Sequence, residues 1–190
     1  RVRFVGDPVA AVAADDEDIA DHALGLIQIE YEELPRVFSV EEAIRPGAEI
    51  IHPDFNAYRG VEQMETPSNR FATVVHTNGD LAAGFAEADL IVEGTYGTQR
   101  SHQGYLEPHS SLVSIGRDGA VDAWESTQMP LMARNELARV SEKDREQIVI
   151  NPAYVGGSFG GKINAPGTLL CYFLAQRTGR PVKYVLDYSE

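Results

Sequence analysis

A mixed α+β fold is what this sequence predicts, on three observations. Apolar residues recur at helical spacing in some segments and alternate with polar ones in others. Both tight turns and helical crossovers separate the alternating segments. Asp118-Gly119, the strongest short hairpin signal in the chain, lies between two such runs. The 190 residues suffice for one domain, or one and part of another, with a sizeable core.

RVRFVGDPVAAVAAD, from Arg1, reads as two β segments joined by a turn at Gly6-Asp7-Pro8, where Gly and Pro match turn chemistry. DDEDIADHALGLI then opens with acids, which favour a helix N-terminus, and sets Ile19, Ala23 and Leu26 roughly on one face. The acidic run Asp15 to Asp18 reads as helix capping rather than as a cation site. LIQIEYEELP alternates as a half-buried strand does, and Pro35 ends it. Residues 35–72, with prolines at 35, 46, 53 and 67, read as a long connector that contains the domain boundary.

After the connector, DLAAGFAEADLIVEGTYGTQ is a short helix passing into a strand near Ala88. SSLVSIGRDGAVDAWEST holds two strands around Arg117-Asp118-Gly119. PLMARNELARVS puts Pro130 at a favoured first helical position, with Leu131, Arg134, Leu137 and Ala138 at helical spacing. REQIVINPAYV reads as a strand, PGTLLCYFLAQRTG as a mostly apolar helix ended at Gly179, and RPVKYVLDYSE as a final strand.

A formal net charge of −13 argues against nucleic-acid binding and against adsorption to anionic membranes, because an acidic surface repels phosphate. No apolar run approaches the roughly 18 residues that span a bilayer. With Cys171 the only cysteine, neither an internal disulfide nor a thiolate metal scaffold is expected, and a reducing, cytoplasmic compartment is. The opening run reads as the middle of a strand, so the sequence reads as a piece of a longer polypeptide.

The chemistry concentrates in YVGGSFGGKIN, Tyr154 to Asn164. Gly156, Gly161 and Lys162 satisfy G-x-x-x-x-G-K, but a working phosphate loop needs Ser or Thr after the lysine to hold magnesium, and Ile163 stands there. A plain tight turn is the second reading, because glycine adopts positive φ without a Cβ clash. The third is a cradle, in which the glycines expose backbone N–H donors to an oxyanion or metal-oxo ligand and Phe159 closes one wall. In WESTQMP, Gln128 falls between a strand and Pro130, where its amide is either solvated or a hydrogen-bond partner for an oxo group.

STQMP followed about thirty residues later by GGSFGGK resembles the molybdenum hydroxylases, the xanthine dehydrogenase and aldehyde oxidase family, in the first molybdopterin-binding region of the large subunit. FVGDPVAAVAADDEDIADHALGLIQIEYEELP resembles the end of that family's α/β hammerhead domain, and GYLEPHSSLV resembles the strand that opens the cofactor region. The resemblance implies that residues 1–50 are the C-terminal part of the hammerhead, 51–72 a linker, and 73–190 part of the first cofactor-binding domain. It implies that Gln128 hydrogen-bonds an oxo ligand of molybdenum and that Phe159 and Gly160 approach the metal's ligands. Gly157, Ser158 and Gly161 would shape the loop around the pterin dithiolene, whose sulfurs, not protein atoms, hold the metal.

The implied activity is hydroxylation, with water-derived oxygen, of an aldehyde, an aromatic or N-heteroaromatic compound, or an aryl-CoA thioester. Purine-oxidising members carry glutamate after the loop lysine, so Ile163 speaks against purine. The implied cofactor is molybdenum-molybdopterin in its cytosine dinucleotide form, with 2Fe-2S clusters and FAD on partner subunits. The family's general-base glutamate falls outside these residues, so the segment alone is expected to be inactive. Within the family the alternative is a reductive enzyme similar to hydroxybenzoyl-CoA reductase. Outside it, the alternatives are a nucleotide-binding protein or a non-catalytic interaction domain. HQGYLEPH offers His102, Glu107 and His109 as a metal trio, yet on a strand the two histidines diverge, and the resemblance makes Glu107 a structural carboxylate. No G-x-S-x-G elbow is present, which removes the hydrolase motif.

Overall fold

The computed structural model describes all residues except 59, 60, 62, 164, 165 and 188–190. The end of the predicted final strand and the last residue of the YVGGSFGGKIN stretch therefore lie outside the described residues. The chain divides into two compact units, one of residues 1–28 with 99–190 and one of residues 29–98.

In the first unit, helix α1 (Glu17–Leu24) starts where the acids predict it, with Asp16 accepting the Ile19 N–H at 2.9 Å. Such a cap is worth about 1 kcal/mol. In the second unit, α2 (Val40–Ala43) is capped by Ser39, whose hydroxyl accepts the Glu42 N–H, and Glu42 reaches back to accept the Phe38 N–H at 3.0 Å, one residue short of a capping box. Asn69 ties the connector together, donating to the Ala43 and Glu49 carbonyls and accepting the Ile51 N–H. Helix α3 (Leu81–Glu87) is capped by Asp80.

The core belongs to the first unit. Strands β1 (Ser110–Ile115) and β2 (Val121–Glu125) form the predicted Asp-Gly hairpin, and α4 (Pro130–Ser141) crosses over to β3 (Ile148–Pro152). Helix α5 (Pro166–Thr178) then leads to β4 (Val182–Val185). The four strands lie in the order β3-β2-β1-β4, with β2 and β3 parallel and the other pairs antiparallel. Alternation along β2 buries Val121, Ala123 and Glu125 and leaves Asp122 and Trp124 outside. Val113, Leu137, Ile148, Cys171, Tyr172 and Ala175 complete the core. Gly167 lets α5 approach the sheet, since a Cβ there would stand 2.9 Å from Ser111 Oγ. On α4 the buried stripe is Ala133, Leu137 and Ala138, while Leu131 of the predicted face is exposed.

Three predicted strand regions form no ladder: the segments flanking the Gly6 turn, the LIQIEYEELP run, and residues 88–98. Among the described residues no strand precedes Ser110 and none before Ser111 is buried. The turn itself forms, with Gly6 at φ 94 and the Asp7 N–H on the Phe4 carbonyl. Alternation measures suitability for a sheet, but a strand exists only where another accepts its hydrogen bonds. No described helix is long and apolar enough to cross a membrane.

Candidate functional site

Strand direction assembles the site. Parallel β2 and β3 pair with Glu125 opposite Pro152, so the segments that follow them, Ser126 to Met129 and Ala153 to Ile163, leave the sheet at one edge. Antiparallel β1 begins at that edge, which brings in the residues just before it, Tyr105 to His109. Loops beyond the carboxyl ends of parallel strands are where α/β sheets place ligands.

Hydrogen bonds staple these segments. Thr127 Oγ1 donates to the Lys162 carbonyl at 3.0 Å, and the Gln128 N–H donates to the same oxygen at 3.2 Å. The Lys162 N–H donates to Ser158 Oγ at 3.1 Å, and Ser158 Oγ donates to Gln128 Oε1. Lys162 is fully buried; its Nζ meets Glu107 Oε2 at 2.5 Å and sits 5.1 Å from the Tyr105 ring centroid. Glu107 Oε2 also accepts the Gly156 N–H at 2.7 Å. The hydrogen bond from Lys162 above all, helped by Gly156 and the lysine charge, holds the Glu107 carboxyl below the usual range against the opposing effect of burial. Lys162 is thus a buried structural cation, and the lysine of a phosphate loop would have to face its ligand instead.

The predicted metal trio has other tasks. Glu107 is committed to Lys162 and Gly156, and His102 Nδ1 accepts the Gly104 N–H. Burial, then the Lys162 charge, keeps His109 below the ordinary histidine range against a hydrogen bond with the Gly161 backbone, so its ring is neutral at pH 7. Cys171 lies in the core, where burial and the Glu125 charge push its thiol up to about 12.

Two glycines of the loop are required by close approach. A Cβ on Gly156 would fall 2.7 Å from Glu107 Cβ, and one on Gly161 would fall 2.4 Å from Tyr105 Cε1. Gly157 and Gly160 are required by conformation, at φ 94 and 91, and Phe159 between them is itself left-handed at φ 47. A Cβ on Gly160 would meet nothing within 4 Å. The N–H groups of Gly157, Ser158, Phe159 and Gly160 have no acceptor among the described residues, and neither does Gln128 Nε2. Phe159 is 76% exposed beside this run of donors. A separate open groove of about 880 Å³ along α4 touches the loop only through Ile163.

Gln128, Gly157, Ser158, Phe159, Gly160 and Gly161 therefore share one sheet edge. The packing roles of Tyr105 and Thr127 carry no motif in the sequence. The burial of Glu125 does carry a signal, since the in–out alternation of VDAWE places it on the face of Val121 and Ala123. Burial raises its carboxyl to about 7, helped by Glu136 and opposed by a hydrogen bond with Thr168, and its Oε2 has no partner.

Backbone donors without an acceptor among the described residues thus lie beside a side-chain amide at the carboxyl edge of a mixed sheet, an arrangement of the kind that accepts oxygen-rich ligands. Residues 62–190 match the molybdopterin cofactor-binding domain family, and residues 1–35 match the α/β hammerhead domain of aldehyde oxidase and xanthine dehydrogenase. The chain belongs to the xanthine dehydrogenase and aldehyde oxidase family of molybdenum hydroxylases. It is 38% identical to a probable xanthine dehydrogenase subunit of Bacillus subtilis, over 96% of this chain and 23% of that protein. It is 34% identical to the nicotinate dehydrogenase large molybdopterin subunit of Eubacterium barkeri, over 100% of this chain and 42% of that one. Among solved structures, the aldehyde oxidoreductase of Desulfovibrio gigas superposes with a TM-score of 0.74 at 27% identity, over 92% of this chain and 18% of that one. The quinoline 2-oxidoreductase of Pseudomonas putida 86 gives 0.72 at 27% identity, over 92% and 21%. The chain spans between about a quarter and two fifths of the length of these two curated relatives.

Proposed function

We propose that this chain supplies one wall of a molybdopterin-bound molybdenum centre in an enzyme that hydroxylates an aldehyde, aromatic or N-heteroaromatic substrate. One observation carries the reading: four consecutive backbone N–H groups, Gly157 to Gly160, have no acceptor among the described residues and lie in the loop that Ser158 ties to the Gln128 amide. Such a donor set fits oxygen ligands, and the space at Gly160 admits a bulky group that any Cβ would crowd. The bound metal supplies two-electron oxidation with oxygen taken from water. Gln128 donates through Nε2 to a ligand oxygen, Gly157 to Gly160 donate from the backbone, and Phe159 presents its ring as an apolar wall. Gly161, backed by Tyr105, and the Lys162–Glu107 pair hold the loop from behind.

Ile163 offers no carboxylate or hydroxyl to a polar purine, which supports the non-purine substrates. The names of the nicotinate, quinoline and aldehyde enzymes agree with that choice, while the relative called a probable xanthine dehydrogenase pulls the other way. The remaining parts of the reading are a cytosine dinucleotide form of the pterin, iron–sulfur and FAD partner subunits, and a cytoplasmic site. A hammerhead end at 1–50, a linker at 51–72 and a cofactor-binding segment at 73–190 complete it. The test is molybdenum by elemental analysis and oxidised pterin by fluorescence, in the full-length protein purified with its partners from a molybdate-replete host. Stoichiometric molybdenum with turnover of aldehydes or heteroaromatics and none of xanthine is expected. Absence of the metal sinks the reading of the site, and xanthine turnover sinks the reading of Ile163.

A further inference from the structure

The Gln128 side chain has two chemically opposite ends, and a ligand meets only one of them. An amide presents either an acceptor oxygen or a donor NH2, and which end faces a ligand is decided by what holds the other. Ser158 decides it here. The residue is 8% exposed, and its hydroxyl carries one proton. The oxygen already accepts the Lys162 N–H at 3.1 Å, and the proton is donated to Gln128 Oε1. Turned the other way, Nε2 would share the serine oxygen with the Lys162 N–H and the hydroxyl proton would lose its acceptor, so the amide oxygen is the end that is held and Nε2 is left without an acceptor among the described residues.

The serine is itself fixed on both sides. Its carbonyl accepts the Gly161 N–H at 2.7 Å, closing a tight turn, and the Lys162 N–H that reaches its hydroxyl belongs to a residue locked in place by Glu107. The Lys162 carbonyl in turn takes the Thr127 hydroxyl and the Gln128 N–H, so the backbone of the glutamine and the serine that steers its side chain hang from one residue. A rigid frame of this kind makes the orientation of the amide a property of the loop itself rather than something a ligand must impose.

From this arrangement we infer that Ser158 is a positioning residue that fixes the Gln128 amide as a pure donor, so the site selects a ligand whose facing atom is an acceptor oxygen. The inference rests on the proposed molybdenum-binding role of the loop and adds what that role does not specify: the residue that sets the polarity of the Gln128 contact. Without the hydroxyl the amide rotates between its two orientations, and the ligand must restore the productive one. The expected loss is the orientation of one hydrogen bond, about fivefold in kcat.

The test uses the full-length protein with its partners and starts from the molybdenum content of the unsubstituted form. Ser158→Ala is expected to keep its molybdenum and pterin, lower kcat about fivefold with KM little changed, and shift the electron paramagnetic resonance spectrum of the partly reduced metal. Ser158→Thr, which keeps a hydroxyl, should restore both. Gln128→Glu supplies a second readout that a merely structural serine would not move. With Ser158 donating to one carboxyl oxygen, the other is a donor only when protonated, so activity relative to the unsubstituted protein should rise as pH falls. That acid recovery should shrink in the Gln128→Glu, Ser158→Ala pair.

A metal-replete Ser158→Ala protein with unchanged kcat and spectrum overturns the inference and leaves the molybdenum reading standing. So does an acid recovery identical with and without the serine, or loss of metal in Ser158→Ala that Ser158→Thr does not reverse. An unsubstituted protein without molybdenum overturns the underlying reading, and the inference with it.

Discussion

The glycine loop has two sides that share a sequence and little else. Gly156, Gly161 and Lys162 face the protein, and each is defined by what it touches: Glu107 for the first and last, the Tyr105 ring for the middle one. Gly157, Phe159 and Gly160 are defined by conformation, all three at positive φ, with no acceptor for their backbone donors among the described residues. The difference separates two uses of glycine. On the anchored side it removes a Cβ that would collide, and on the open side it permits a backbone shape that presents N–H groups. Substitutions on the anchored side should therefore read out as stability, and those on the open side as cofactor content and rate.

The largest effect is expected on the open side. Gly160→Leu puts a side chain into the space where the ligand would sit, so elemental analysis of the full-length protein should find no molybdenum, while the backbone strain costs only about 1–3 kcal/mol of stability. Gln128→Ala removes one positioned donor and should lower kcat by about 100-fold in protein that still carries the metal. Equal losses of folding and activity in these two variants would dissolve the distinction between the sides.

Effects on the anchored side are smaller and appear as denaturation midpoints. Glu107→Ala strands the buried Lys162 charge and should cost about 3 kcal/mol, the low end for a broken buried pair because water reaches Glu107. Lys162→Met should cost less, about 1 kcal/mol, since the carboxylate left behind is the partly exposed partner. The reverse ranking would mean that the lysine does more than balance charge.

The one stability effect expected to depend on pH lies beneath the loop at Glu125. Its folded pKa of about 7 exceeds the ordinary 4.5, so the folded state holds a proton that the unfolded state has released between those values. The favourable contribution is complete below pH 4.5 and is lost as pH rises through about 7. Glu125→Gln mimics the protonated form, so its stability advantage over the unsubstituted protein should grow from pH 5 to pH 8, to at most about 3 kcal/mol. An advantage that does not change with pH would show that Glu125 does not titrate there.

How much of this is legible in the sequence follows the same division. The hairpin, α4, β3 and α5 are readable because each carries a local signal: Asp118-Gly119, Pro130, the apolar run at Ile148, and Gly179 after α5. The strands expected before residue 99 are not readable as absent, because alternation in LIQIEYEELP says nothing about whether a neighbouring strand is there. Within the loop, the glycines and Phe159 stand out by composition, and Gln128 by its position between a strand and Pro130. The task of Lys162 is misleading in isolation, since G-x-x-x-x-G-K suggests phosphate and only a residue far away in the chain shows that the charge is already balanced.

That distance has a kinetic consequence. Glu107 and Lys162 lie 55 residues apart, and Glu107 meets the Gly156 N–H across 49. Contacts of such long sequence separation form only after the intervening chain has closed, and here that chain contains β1, β2, α4 and β3. The hairpin, with its local turn, is expected to condense early, and the loop to take its shape only once the strands stand side by side. On the proposed reading of the site, a ligand held by those four backbone donors would meet a finished sheet edge rather than a nascent chain, and loading it into the already folded protein is the expected outcome.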